Sequence, residues 1–160
     1  MKVGITGHQD LGSKETITAL SDILETVVRQ CDIDMGITSL AIGADQLYAQ
    51  ILRKIGIRYL AIIPSDQYEK TFTNTSDLEQ YNSLLHGASE IIELPFDAPS
   101  EIAFYRAGKQ MVNLSDMVIA VWNGQPAKGL GGTGDIVKYA LSLRKSVVHI
   151  NPITQQVILI

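Results

Sequence analysis

The residues best suited to chemistry sit in one short segment, Gly129-Leu130-Gly131-Gly132-Thr133-Gly134, between an apolar run ending at Trp122 and an amphipathic stretch starting at Thr133. Glycines let a backbone pass close to a ligand because no Cβ stands in the way. A helix that starts there presents unpaired N–H groups and the positive end of its dipole, which together attract an anion. Gly131, Gly132 and Gly134 are therefore expected to cradle a phosphate, with the Thr133 hydroxyl adding a hydrogen bond. The pattern is not a Walker A loop, since it lacks Gly-Lys-Ser/Thr, and it is not a dinucleotide fingerprint placed after the first strand. Trp122 and Asn123 close the preceding strand. Trp122 is a candidate for a pocket wall, although packing alone also explains it, and Asn123 is a candidate ligand contact in the rim loop that follows.

Three other loops carry small and polar residues in equivalent places. Gly7-His8 follows the first strand, with His8 either contacting the ligand or capping. In Gly43-Ala44-Asp45, Gly43 permits a close approach, while Asp45 either caps a helix or holds a ribose hydroxyl. The stretch from Ser65 to Thr75 is long for a connection and suits a lid; Tyr68 within it can stack on a base, and Phe72 either does the same or folds back onto the core. Arg106 lies near the start of a helix, placed to reach a phosphate or else simply solvated. Cleavage of an N-glycosidic bond needs a carboxylate near the sugar. Asp135, Asp45 and Asp10 are available, with Asp135 the preferred catalytic candidate. The three histidines show no metal-ligand spacing and the single cysteine, Cys31, excludes a Cys-based zinc site and an internal disulfide, so no metal is expected.

The elements that must position these residues follow from periodicity. Short apolar runs at Lys2–Thr6, Thr38–Ile42, Tyr59–Ile63, Glu90–Leu94, Met117–Trp122 and Ser146–Ile150 alternate with helical stretches near Ser13–Cys31, Ala44–Ile55, Ser76–Gly87, Ser100–Leu114 and Thr133–Leu143. Ile17, Leu20, Ile23, Leu24, Val27 and Val28 form one helical stripe. Strands that are continuously apolar belong to a sheet covered on both faces. The expected fold is a three-layer α/β/α, Rossmann-like single domain over residues 1–160 with a mainly parallel sheet, its ligand site at the carboxyl ends of the strands. The apolar tail Gln156–Ile160 is expected either to add an edge strand or to pack at a subunit interface.

Composition narrows the function classes. The 160 residues are 46% apolar and 19% charged, enough for one sizeable core. A net charge of −4 lacks the basic footprint of a nucleic-acid-binding protein. No apolar run reaches the length of a membrane span and no signal peptide is expected, which points to the cytoplasm.

Ile5-Thr6-Gly7-His8, Gly43-Ala44-Asp45, and the run from Ser115-Asp116 through Val118–Trp122 to Gly131-Gly132-Thr133-Gly134-Asp135 together resemble the SLOG superfamily. That group of Rossmann-like domains includes the DNA-processing Smf/DprA proteins and the LOG nucleotide phosphoribohydrolases. The resemblance implies binding of a nucleotide or nucleotide derivative at the strand ends, as in family members that sense cyclic ADP-ribose-type messengers. It also implies two alternatives, an N-glycoside hydrolase or ribosyltransferase and a DNA-processing-type interaction module. The LOG pattern Pro-Gly-Gly-x-Gly-Thr-x-x-Glu is not reproduced: no proline precedes the glycines and the following helix has no glutamate, Asp135 being its one acid. The expectation is a ligand-sensing module without a resident cofactor, pairing as a homodimer or higher homo-oligomer, as relatives in the superfamily commonly do.

Overall fold

The computed structural model describes residues 1–160. In chain order it runs β1 Lys2–Gly7, α1 Lys14–Gln30, β2 Met35–Thr38, α2 Ala44–Ile55, β3 Tyr59–Ile63, a short 3-10 helix Tyr68–Thr71, α3 Thr75–His86, β4 Glu90–Glu93, α4 Glu101–Leu114, β5 Met117–Val121, α5 Thr133–Ser142, β6 Ser146–Ile150 and β7 Val157–Leu159. The strands form one sheet in the order β4-β3-β2-β1-β5-β6-β7, parallel except for β7. The architecture is the expected Rossmann-like three-layer α/β/α.

The apolar patterning explains the layers. On α1 the buried stripe is Leu20, Leu24, Val27 and Val28. It joins Tyr48 and Leu52 of α2 and Tyr81 and Leu84 of α3 in a core that also takes Val3, Ile5 and Ile119 from the sheet. The other face holds Ala107, Met111 and Val112 of α4 with Ile136, Val137 and Ala140 of α5, packed on Ile37, Ile62, Val118 and Ala120. All five residues of β3 are buried, as in a strand covered on both faces. Each large aliphatic side chain withdrawn from water here stabilises the fold by about 1.5–3 kcal/mol.

This distribution creates the feature that matters for function. Helices α1 to α3 follow β1 to β3 on one face, whereas α4 and α5 lie on the other. The chain therefore reverses its direction of travel between the neighbouring strands β1 and β5. In open α/β sheets a crevice opens at the carboxyl ends of the strands at such a reversal.

The second strand lies earlier than its apolar run suggests. The sequence predicts Thr38–Ile42, but the strand is Met35–Thr38, pairing Lys2 with Met35 and Gly36 with Tyr59. The chain leaves the sheet at Ser39 because Leu40 turns in the left-handed region, with φ of 57°, and buries its side chain completely. Gln46 Nε2 donates to the Leu40 carbonyl at 3.2 Å and holds the turn. The apolar residues Leu40–Ile42 thus belong to a packed turn rather than to a strand, a distinction periodicity does not make.

The tail adopts the edge-strand alternative. After a turn in which Asn151 Oδ1 accepts from the backbone N–H groups of Ile153 and Thr154, β7 pairs antiparallel with β6. The opposite edge, β4, carries Glu90 and Glu93, whereas β7 presents only Val157, Ile158 and Leu159. No helix is long and apolar enough to cross a membrane.

Candidate functional site

The capping of the helices distinguishes α2 and α5 from the other three. Helices α1, α3 and α4 start with Ser13, Asn74 and Ser100, whose side chains accept from first-turn amides. Helices α2 and α5 start with Gly43 and Gly132 and have no side-chain cap. At α2 the backbone supplies partners: Ala44 N–H donates to the His8 carbonyl at 3.2 Å and Gln46 N–H to the Ala41 carbonyl at 3.2 Å. At α5 the Gly132 carbonyl accepts from Asp135 and Ile136 N–H, but no protein acceptor meets the N–H groups of Gly132, Thr133 and Gly134. Unpaired helix N-terminal amides normally find a side chain, water or ligand.

A cleft of about 630 Å³ opens against this helix end. The β1 loop, Gly7 to Gln9, crosses it. From one face of the sheet come Asp45 of α2, with Tyr68 and Phe72 of the segment after β3. From the other face come Phe104, Gly108 and Met111 of α4, with Lys128, Gly131, Gly132 and Thr133. Thr133 is only 8% exposed and its hydroxyl makes no hydrogen bond within the protein.

Two glycines shape the cleft by close approach. Gly43 has φ of +90°, and a Cβ there would lie 2.4 Å from the carbonyl oxygens of His8 and Gln9, so the loops after β1 and β2 touch backbone to backbone. Gly131 has φ of +81°, and a Cβ there would lie 2.9 Å from Tyr105 Cα. The glycine loop is therefore pressed onto the first turns of α4. Gly7 packs under Ala44, while Gly132 and Gly134 pack against the Gln125–Ala127 segment. The glycine cluster thus meets tight internal packing and an open helix end together.

Asp45 is the most perturbed acid of the cleft. It is 8% exposed, and its Oδ2 accepts from Thr38 Oγ1 at 3.0 Å and from Ser39 N–H at 2.8 Å. Thr38 Oγ1 in turn accepts from Leu40 N–H at 3.1 Å, which orients its proton towards the carboxylate. Burial pushes the Asp45 carboxyl up from 3.8 to about 6, with the Ser39 and Thr38 hydrogen bonds working in the opposite direction. A carboxyl held there changes charge close to neutral pH.

The other expected site residues fall into two groups. Gly7, His8, Asp45, Tyr68, Gly131, Gly132 and Thr133 all line the cleft. His8 Nε2 accepts from Asn123 N–H at 3.1 Å, which ties the β1 and β5 loops together and leaves Nδ1 as the protonated nitrogen of a neutral ring. Gly43, Gly134, Trp122, Asn123, Asp135 and Arg106 do not line it. Trp122 Nε1 donates to the Gln125 carbonyl at 2.7 Å, and its own carbonyl meets His149 Nε2 at 2.7 Å. Asn123 Oδ1 accepts from Gln125 N–H at 3.0 Å. Asp135 Oδ2 turns back to accept from Gly131 N–H at 3.1 Å and braces the glycine loop.

Arg106 lies on the far side of α4, where it lines a smaller cavity of about 400 Å³ with Phe96, Lys109 and Tyr139. Glu101, Phe104, Gly108 and Met111 recur at helical spacing and turn towards the main cleft. Arg106 lies about 200° from Phe104 around the helix at 100° per residue. The i, i+4, i+7 pattern of Phe104, Gly108 and Met111 is the sequence signal that marks this face. Ser39 and Lys128 also line the cleft without any spacing that singles them out.

The segment after β3 is ordered by aromatic packing. Tyr68 meets Phe72, Tyr81 and Phe104 with ring centroids 5.4, 5.6 and 6.2 Å apart, all edge-on. Phe72 stacks on Tyr81 at 4.5 Å. A stacking platform needs a free ring face. Here the rings form part of the core, and Phe72 takes the folded-back alternative.

No family model matches the chain, and no curated protein matches it in sequence. Solved structures do match it in fold. The chain is similar to DNA processing protein A (DprA) from Streptococcus pneumoniae, with a TM-score of 0.69 and 15% identity over 94% of this chain and 50% of that one. It is similar to DprA from Helicobacter pylori, a protein described with a single-stranded DNA binding mode, with a TM-score of 0.65 and 15% identity over 94% of this chain and 65% of that one. It is also similar to the molybdenum cofactor carrier protein of Chlamydomonas reinhardtii, with a TM-score of 0.55 and 14% identity over 92% and 74% of the two chains. The chain therefore spans half the length of the first DprA and 65% of the second. At these identities the likeness is one of fold, and the shared architecture is a Rossmann-like α/β domain.

Proposed function

We propose that the protein is a SLOG-like domain that binds a nucleotide or nucleotide-derived ligand in the cleft at the β1/β5 reversal, as a ligand-sensing module. The observation that carries the reading is the α5 N-terminus. Its Gly132, Thr133 and Gly134 amides have no protein acceptor, and the cleft beside it is lined by Thr133, whose hydroxyl has no partner in the protein. A phosphate placed there accepts from the Gly132 and Thr133 amides and Thr133 Oγ1 and benefits from the helix dipole, with Lys128 as the nearby cation. His8 Nδ1–H and the Asp45 carboxylate then face the remainder of the ligand.

Binding stabilises the native state by about 2.7 kcal/mol at a hundredfold excess over the dissociation constant. In a domain of this size that raises Tm by roughly 5–10 °C. A thermal-shift screen over nucleotides, nucleotide sugars and cyclic ADP-ribose isomers, followed by mass spectrometry of the recovered ligand, tests the proposal. An intact ligand supports the sensor, and no shift with any nucleotide at about millimolar concentration removes the reading.

A second reading, an N-glycoside hydrolase or ribosyltransferase, is favoured by one observation. Asp45 lies in the cleft with its carboxyl raised to about 6, where a general acid or base works near neutral pH. Recovery of free base in the same screen supports it. In this reading Asp45 rather than Asp135 is the carboxylate closer to the ligand, and Asp135 positions the phosphate loop. The single-stranded DNA of the Helicobacter protein is not carried over, because the cleft offers one lysine against Asp45 and Glu101 and the chain is acidic. Self-association is proposed through the β7 edge, where Val157, Ile158, Leu159 and Ile160 are 41–70% exposed and no charge guards the strand.

A further inference from the structure

We propose that Asp45 and Tyr68 form a hydroxyl-reading subsite in the cleft, which selects ligands carrying a ribose-type hydroxyl over their deoxy counterparts. This rests on the nucleotide reading and assigns a chemistry to the part of the cleft away from the α5 N-terminus.

Tyr68 is 4% exposed and lines the cleft. Its ring is enclosed by the edges of Phe72, Tyr81 and Phe104, so it has no face to offer a base. What reaches the cleft is the phenolic hydroxyl. It has no hydrogen-bond partner in the protein, although it is not sealed from the cleft. Tyr48 and Tyr59 donate to the Val3 and Leu84 carbonyls, whereas the Tyr68 hydroxyl, like that of the buried Tyr81, has no protein acceptor, and of the two unpaired ones only Tyr68 lines the cleft. An enclosed ring with its hydroxyl open to the cleft offers a ligand one directed proton donor and no apolar face.

Asp45 supplies the complementary group. Its Oδ2 is fixed by Thr38 and Ser39, so the carboxylate is held in one orientation and keeps acceptor capacity for the cleft. Burial and the Asp45 charge both hold the Tyr68 phenol well above its usual range, so Tyr68 stays a proton donor at neutral pH. Asp45, once ionised, only accepts. A single ligand atom that satisfies both must donate to the carboxylate and accept from the phenol. A hydroxyl does this. A carbonyl oxygen repels the carboxylate lone pairs, and an ammonium leaves the phenol unpaired.

The test uses the full chain and calorimetric titration with AMP, 2′-deoxy-AMP, 3′-deoxy-AMP, ribose 5-phosphate and 2-deoxyribose 5-phosphate. The ribose forms are expected to bind at least about tenfold more tightly than at least one deoxy form, the size of one hydrogen bond to a charged group. In Tyr68→Phe that ratio is expected to fall to within about twofold. Tyr68→Phe removes a hydroxyl that bonds to nothing in the protein, so its fold and Tm should be preserved, and the ratio within one variant is insensitive to any general loss of affinity. Asp45→Asn is expected to lower the ratio as well. Equal binding of ribose and deoxyribose forms by the unmodified chain overturns the subsite while leaving nucleotide binding intact. Selectivity that persists in Tyr68→Phe also overturns it. Binding of none of the five probes overturns the nucleotide reading and the subsite with it.

Discussion

Replacing Asp45 by asparagine should make the protein more stable and less functional, in a manner that depends on pH. Asp45 is 8% exposed and its carboxyl is raised from 3.8 to about 6 by burial. Between these values the native state binds a proton that the unfolded chain releases, so stability falls as pH rises through this window. The group's favourable contribution is complete below about pH 4 and lost above about pH 6. At 1.36 kcal/mol per pH unit, keeping the ionised carboxylate buried costs about 3 kcal/mol at neutral pH. Asparagine retains an oxygen that can accept from Thr38 Oγ1 and Ser39 N–H and carries no charge to desolvate. Asp45→Asn should therefore gain about 2–3 kcal/mol over the unmodified protein at about pH 8 and almost nothing at about pH 4. Urea unfolding followed by the fluorescence of Trp122, the one tryptophan, measures this directly. A variant that is less stable at about pH 8, or that differs from the parent by the same amount at every pH, refutes the argument. The same variant should bind nucleotide more weakly. A charge retained at a cost to stability is what a functional residue looks like.

Three further outcomes are expected. Gly131→Ala places a Cβ within 2.9 Å of Tyr105 Cα at a φ of +81°, and should cost about 3 kcal/mol and loosen phosphate binding; an unchanged Tm means that the loop does not lie against α4. Asp135→Ala removes the acceptor for Gly131 N–H and should lower stability by about 1 kcal/mol and weaken ligand affinity, whereas Asp135→Asn keeps both. If a turnover reaction is found and Asp135→Asn abolishes it without loss of affinity, Asp135 is a catalytic group rather than a loop brace. Ile158→Lys, on the half-exposed β7 edge, should change monomer stability by no more than about 0.5 kcal/mol and convert self-associated protein to monomer by sedimentation velocity; an unchanged oligomeric state moves the interface elsewhere.

The sequence by itself determined the elements and the rim where they place their loops. The stripe from Ile17 to Val28, the continuously apolar strands and the glycine-rich entry to α5 each depend on neighbours within a few residues, and such local signals survive without a three-dimensional context. They were sufficient for the Rossmann-like layers and for Gly131 to Thr133, which line the cleft. Tertiary structure decided which side chains turn into the cleft. Leu40–Ile42 reads as strand, yet the left-handed turn at Leu40 ends β2 early and lets Asp45 reach Thr38 and Ser39. Arg106 and Phe104 are two residues apart on one helix, and only the rotation of α4 against the sheet turns Phe104 inward and Arg106 away. Tyr68 reads as a stacking aromatic, but its ring is enclosed by Phe72, Tyr81 and Phe104, which leaves no ring face for a base. Asp135 reads as the acid of the glycine motif, but its carboxylate folds back on Gly131. In each case the deciding contact joins residues from different elements or depends on how one element is rotated against the sheet. The periodicity of a single segment does not contain it.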